Sequence, residues 1–243
     1  VIRPILRGRD IKRYSYEWAN LYLLFIPWHF PLHKDENIVG VSAKAEREFE
    51  RQYPAVFSHL LKYKKELSAR NEAEVNVRYE WYALQRWAAN YWDDFSKPKI
   101  MWAETMRIRR ENSERFPRFS YSPESIFTDK TCFMAVGDDL KWVLAFLNST
   151  VGRYQLSQTV AMMDNGGYLM QKIYVEQIRI GKINKKIHAH LISLVEKLLN
   201  PNTAAENEWV ETEIDALVFE AFGISLSEQF FLSETLTASL ERG

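Results

Sequence analysis

Lys97-Pro98-Lys99-Ile100-Met101-Trp102-Ala103 is the stretch at which the chain changes character. Upstream of Pro98 the apolar residues fall at helical spacing or in ring-rich loops. Downstream they come in short extended runs, 99–103, 118–121 and 131–136, rich in Ile, Trp, Phe, Tyr and Val, and these are predicted to be strands of one sheet. Between the first two runs, residues 104–117 form a loop too long for a tight hairpin. It carries Arg107, Arg109, Arg110 and Arg115, with Asn112 among them.

Working downstream, Asp138 or Asp139 can cap a helix whose Leu140, Val143, Leu144 and Leu147 are apolar nearly all round, so it is expected to be buried. Gly166-Gly167 makes a turn that leads into an extended piece, 168–172. From Lys185 the period is clear. Ile187, Leu191, Leu194 and Leu198 form one stripe, and Val210, Ile214, Leu217 and Ala221 a second, which predicts an antiparallel helical hairpin. Gly223 closes its second helix, and Ser225 with Glu228 is a capping box that opens a short last one. The fold class that follows is α+β: a small mixed β-sheet domain with flanking helices over 1–183, then a helical spacer or docking segment over 184–243.

Working upstream, residues 22–27 read as a short buried strand, Ser42 caps a polar helix, and Pro54 starts another with Val56, Phe57, Leu60 and Leu61 inward. Residues 79–102 hold Tyr79, Trp81, Tyr82, Trp87, Tyr91, Trp92, Phe95 and Trp102. Rings interleaved with Arg86, Lys97 and Lys99 could stack on bases, but a ring cluster in a compact domain belongs first to the core. His29 and His33 have the spacing of a metal pair, yet Pro31 between them breaks the helix that would align them, so they read as loop histidines.

The formal net charge is zero, but it divides unevenly. Residues 201–243 hold nine carboxylates and one basic residue, which leaves 31 Lys+Arg against 23 Asp+Glu in residues 1–200. A basic body suits a polyanionic partner, and the acidic end suits packing rather than a DNA surface. With 47% apolar and 26% charged residues the chain can bury a core, and no apolar run approaches the length of a membrane span. The single cysteine, Cys132, forms no internal bridge, which points to a reducing, cytoplasmic setting. The chain starts at Val1 inside an ordered pattern, as expected of a piece of a longer polypeptide.

No phosphate-binding loop, Gly-x-Gly fingerprint, Ser-centred elbow or Asn-Pro-Pro-aromatic stretch occurs, so no catalytic motif, cofactor site or metal site is expected in this chain. Asp129, Asp139 and Lys141 have the residue types of a metal-dependent nuclease. In that chemistry the second acid and the lysine lie on a strand, whereas here they open a helix.

Four blocks, taken together, carry a resemblance. They are Pro4-Ile5-Leu6-Arg7-Gly8-Arg9-Asp10-Ile11-Lys12-Arg13-Tyr14; then Lys97-Pro98-Lys99-Ile100 with Phe127-Thr128-Asp129-Lys130-Thr131-Cys132-Phe133 and Leu144-Ala145-Phe146-Leu147-Asn148-Ser149; then Gly166-Gly167-Tyr168-Leu169 with Tyr174-Val175-Glu176-Gln177-Ile178-Arg179-Ile180; and Glu213-Ile214-Asp215-Ala216-Leu217-Val218-Phe219-Glu220-Ala221-Phe222-Gly223-Ile224. In this order they resemble the TaqI-like C-terminal specificity domain, the target recognition region of type IIG restriction-modification and adenine-specific DNA methyltransferase polypeptides. Residues 31–77 match none of these blocks.

The resemblance implies a double-stranded DNA recognition module in a restriction-modification or phage-defence polypeptide. A methyltransferase domain of the same polypeptide would bind S-adenosylmethionine and act on adenine. Arg107, Arg109 and Arg110, with Asn112 and Arg115, are then the candidates for base or phosphate contact, and Arg7, Arg9, Lys12 and Arg13 for the DNA backbone. Lys97, Lys99, Tyr168 and Lys172 complete the candidate DNA contacts. Two other readings stay open at this point: a scaffold domain that binds another protein, and a stand-alone metal-dependent nuclease.

Overall fold

The computed structural model describes residues 1–70, 78–88, 90–107, 116–163, 167–200 and 203–241. The chain divides into two compact units. The smaller holds residues 1–3 and 22–93, and the larger holds 4–21 and 94–243. The division therefore does not fall at 183/184, where the periodicity drew it. The segment that resembles no family block forms most of the smaller unit.

In the smaller unit the first residues of β1 (Ile2–Leu6) precede β2 (Tyr22–Leu24), α1 (Ala43–Gln52), α2 (Pro54–Leu61) and α3 (Lys64–Ala69). Ser42 caps α1 as expected, its Oγ accepting from the Ala45 N–H at 3.1 Å, and Pro54 opens α2. Phe57 is buried and Val56 and Leu60 pack against the same core, but Leu61, the last residue of α2, is exposed. The rings pack inward: Tyr79 and Tyr82 join Phe30, Phe49 and Phe57 in one core, and Trp28 stacks on Tyr79 with centroids 4.8 Å apart. At its edge the fully buried Glu80 carboxylate accepts from the N–H groups of His29 (2.8 Å) and Ser42 (2.9 Å) and faces His29 Nδ1 at 3.0 Å. A buried anion needs such donors. His33 instead stacks on Phe30, so the two histidines are not brought together as ligands.

The larger unit is built on the three runs that follow Pro98. β3 (Lys99–Ala103) is the central strand and every residue of it is buried. It pairs antiparallel with β5 (Phe119–Ser122) on one side and β7 (Cys132–Ala135) on the other, which sets Trp102 opposite both Phe119 and Phe133. Residues 105–107 are not loop, as the sequence reading had it. They form β4 (Thr105–Arg107), which pairs with β9 (Gly167–Leu169), itself paired with β8 (Ala161–Met162). The end of β1 runs parallel to β6 (Phe127–Thr128) and leads into a 3-10 turn at Gly8–Asp10.

Helices close this core. α4 (Leu140–Asn148) is buried over most of its surface and packs on β5 and β3. Asp139 precedes it with a left-handed backbone but does not cap it. Both its carboxylate oxygens instead lie 2.8 Å from His188 Nε2. α5 (Thr150–Thr159) and the single turn α6 (Lys172–Val175) follow. α7 (Lys185–Leu198) buries the stripe read from its periodicity, Ile187, Leu191, Leu194 and Leu198. α8 (Ala204–Phe222) buries Val210, Ile214 and Val218, and ends at Gly223, whose φ of 63° suits glycine. Both helices share one core with the sheet, so this acidic segment is part of the body rather than a separate spacer.

Ser225 and Glu228 form the expected capping box, but the helix it opens, α9 (Leu226–Glu241), is sixteen residues long rather than short. The fold is α+β. No helix among the described residues is long and apolar enough to cross a membrane.

Candidate nucleic-acid interface

A cleft of about 740 Å³ opens in the larger unit beside the turn that follows β1. Five cations line it: Arg7, Arg9, Lys12, Arg107 and Arg118, together with the carboxylates Glu104 and Asp129. Three backbone segments supply them, the first about a hundred residues from the other two. The 3-10 turn brings Arg7, Arg9 and Lys12, β4 brings Arg107, and the residue before β5 brings Arg118.

The turn is held rigid by buried acceptors. Asp10 is buried and accepts from the Arg7 backbone N–H (2.8 Å) and from its guanidinium through Nε (3.0 Å) and Nη2 (2.9 Å). Burial alone would raise the Asp10 carboxyl, but the hydrogen bonds from Arg7 outweigh it and hold the group below the usual carboxylate range. The Gly8 N–H donates to Thr131 Oγ1 at 2.9 Å, and that hydroxyl donates to Asp129 Oδ1. A Cβ on Gly8 would meet the Thr131 carbonyl at 2.9 Å, so only glycine allows this close approach. Arg7 is thus fixed in direction, and among the described residues its Nη1 has no hydrogen-bond partner. Arg9, at the crest of the turn, is exposed, and none of the described residues pairs with its guanidinium. Lys12 Nζ lies 3.7 Å from Glu17, and Arg118 Nη1 donates to the Arg107 carbonyl at 3.4 Å.

The structure brings together Arg7, Arg9, Lys12 and Arg107 of the residues proposed from sequence. Arg109, Arg110, Asn112 and Arg115 lie outside the described residues. Three others need correction. Arg13 turns inward, where its Nε is 2.6 Å from Glu211 Oε2 and its Nη1 donates to the Pro117 carbonyl at 2.9 Å, so it holds the fold and does not line the cleft. Lys99 is fully buried and donates to the carbonyls of Lys97 and Glu124, both at 2.8 Å. Tyr168 is buried and stacks on Phe116 with centroids 4.5 Å apart. Lys97 pairs with Asp94 at 2.7 Å and Lys172 with Glu176 at 3.6 Å, both away from the cleft lining. Sequence reasoning missed Arg118. Its signal was present, because it flanks a strand and alternates with the buried Phe119.

The nuclease constellation does not assemble either. Asp139 faces His188, Lys141 pairs with Glu196, and Asp129 holds Thr131. Among the described residues no group of three or more His, Cys, Asp and Glu could hold a metal ion.

The buried Lys99 gives a pH test. Burial lowers its ammonium to about 8, below the 10.5 of the unfolded chain. The unfolded state therefore binds more protons between these values, so stability rises with pH across that window. The stability of the unmodified chain relative to Lys99→Met is expected to increase from pH 8 to pH 10, by on the order of 2 kcal/mol. Urea melts of both proteins across that range check it, and a difference that stays flat would mean that Lys99 titrates as an exposed lysine.

A family model, the TaqI-like C-terminal specificity domain, matches residues 3–180, which include every residue that lines the cleft. The match stops short of α7. No curated protein matches the chain.

Proposed function

Because the chain belongs to the TaqI-like C-terminal specificity domain family, we propose that it selects the double-stranded DNA sequence on which a restriction-modification polypeptide acts. On this reading a separate domain of the same polypeptide, of the type IIG or a related phage-defence kind, binds S-adenosylmethionine and methylates adenine. The present chain supplies the address and no catalytic group.

The observation that carries the reading is the convergence of Arg7, Arg9, Lys12, Arg107 and Arg118 on one cleft. Local sequence does not force these charges together; Asp10 pairs with Arg7 and Glu17 lies near Lys12, and the cationic excess beyond these pairs suits a polyanion. Arg7, aimed by Asp10, suits a phosphate oxygen that fixes register. Arg9 and Arg107, both exposed in the same cleft, suit the outer strand or a guanine edge.

Salt tests the reading. If about four of the five cations meet phosphates, the logarithm of the duplex binding constant falls with the logarithm of salt with a slope near −3.6. Binding then weakens on the order of 100-fold between 50 and 200 mM salt. Fluorescence anisotropy with a labelled duplex measures this directly. Tight binding to a protein partner with no salt-sensitive duplex binding would favour the scaffold reading instead.

A further inference from the structure

We infer that Glu104 is a specificity-determining residue that accepts a hydrogen bond from a cytosine. This rests on the DNA-recognition reading above and deepens it by naming a base.

The cleft wall holds two carboxylates, and they differ in one respect. Asp129 is committed to the turn, since its Oδ1 accepts from both the backbone N–H (2.9 Å) and the hydroxyl of Thr131. The Glu104 carboxylate has no hydrogen bond or ion pair with any described residue, although Arg107 and Arg118 line the same cleft. Its backbone, by contrast, is pinned from both sides. The Glu104 N–H donates to the Thr131 carbonyl at 2.8 Å, and its own carbonyl accepts from the Met170 N–H at 2.7 Å. A half-buried carboxylate is therefore presented to the cleft by a backbone that has no freedom to withdraw it.

An unneutralised carboxylate on a surface that binds a polyanion repels phosphate, so Glu104 cannot be a backbone contact. It becomes favourable only where the duplex offers a hydrogen-bond donor. In the major groove the donors are the exocyclic amines, N4 of cytosine and N6 of adenine. Adenine sets the lone pair of N7 beside N6, which repels the second carboxylate oxygen, whereas cytosine carries no such acceptor on its own edge. Cytosine is the base that this geometry favours, and the cations around Glu104 hold the flanking phosphates while it reads.

The test is selection from a randomised duplex pool with the intact 243-residue chain, with E104A and with E104Q, alongside the salt titration. The unmodified chain should enrich cytosine at one position. E104A should lose that preference, with discrimination at the position falling on the order of 10- to 100-fold and binding to random duplex not weakened. E104Q, whose amide can donate to N7 and accept from N6, should move the preference to adenine.

Unchanged base preferences in both variants, or loss of a preference for a base other than cytosine, would overturn the inference. Uniformly weaker binding with preferences kept would do the same, since it is the mark of a structural role. In each of these cases a normal salt slope leaves the DNA reading standing. A flat salt slope removes that reading and the cytosine assignment with it.

Discussion

Replacing Arg9, Arg107 and Arg118 together by alanine is expected to weaken duplex binding by on the order of 100- to 1000-fold at about 0.1 M salt. Each phosphate contact releases close to one counterion, which at that concentration corresponds to about eightfold in affinity. The three residues come from the turn after β1, from β4 and from the position just before β5, so the variant tests the cleft as a unit rather than one segment of it. The salt slope should flatten by about 2.7 at the same time. Because Arg9 and Arg107 are exposed, their replacement should change thermal stability little, and any loss in the triple variant is read against Arg118→Ala alone. Undiminished affinity with an undiminished slope would place the DNA surface elsewhere on the chain.

The opposite result is expected at Arg13, four residues further along the same basic run. Arg13→Ala should destabilise the protein by about 3 kcal/mol, equivalent to roughly 10 °C in the melting temperature. The substitution takes a guanidinium away from Glu211, whose side chain is only 14% exposed, and removes donors from the carbonyls of Pro117 and Asn148. Those partners lie on the approach to β5, at the end of α4 and on α8, so the loss loosens the joint between the sheet and the helices. Below its lowered melting point the variant should bind duplex with the salt slope of the unmodified chain. Calorimetry and anisotropy on the same preparation separate the two effects. A flattened slope with unchanged stability would return Arg13 to the DNA surface.

The contrast between Arg9 and Arg13 marks the limit of what could be read in advance. The sheet was legible because β3, β5 and β7 announce themselves by local composition and by the breaks around them. α7 was legible because Ile187, Leu191, Leu194 and Leu198 repeat at helical spacing, and capping is local chemistry, so Ser42, Gly223 and the Ser225–Glu228 pair were found as well. The family resemblance was legible for the same reason, since short blocks in order survive without any knowledge of contacts.

The destination of each charge is a different kind of quantity. Arg7, Arg9, Lys12 and Arg13 look alike in the sequence, and what separates them is Glu211, 198 residues away, which captures one of the four. Lys99 reads in the sequence as a candidate DNA contact, yet it pairs with Ser122 of β5 and is buried where the carbonyls of Lys97 and Glu124 satisfy its ammonium. β4 passes for a loop until Gly167–Leu169, some sixty residues on, supplies its partner. Local propensity therefore fixed where strands and helices begin and which stripes they bury. Tertiary structure alone decided which cations face solvent, because an ion's burial depends on partners that the chain brings near only after it has folded.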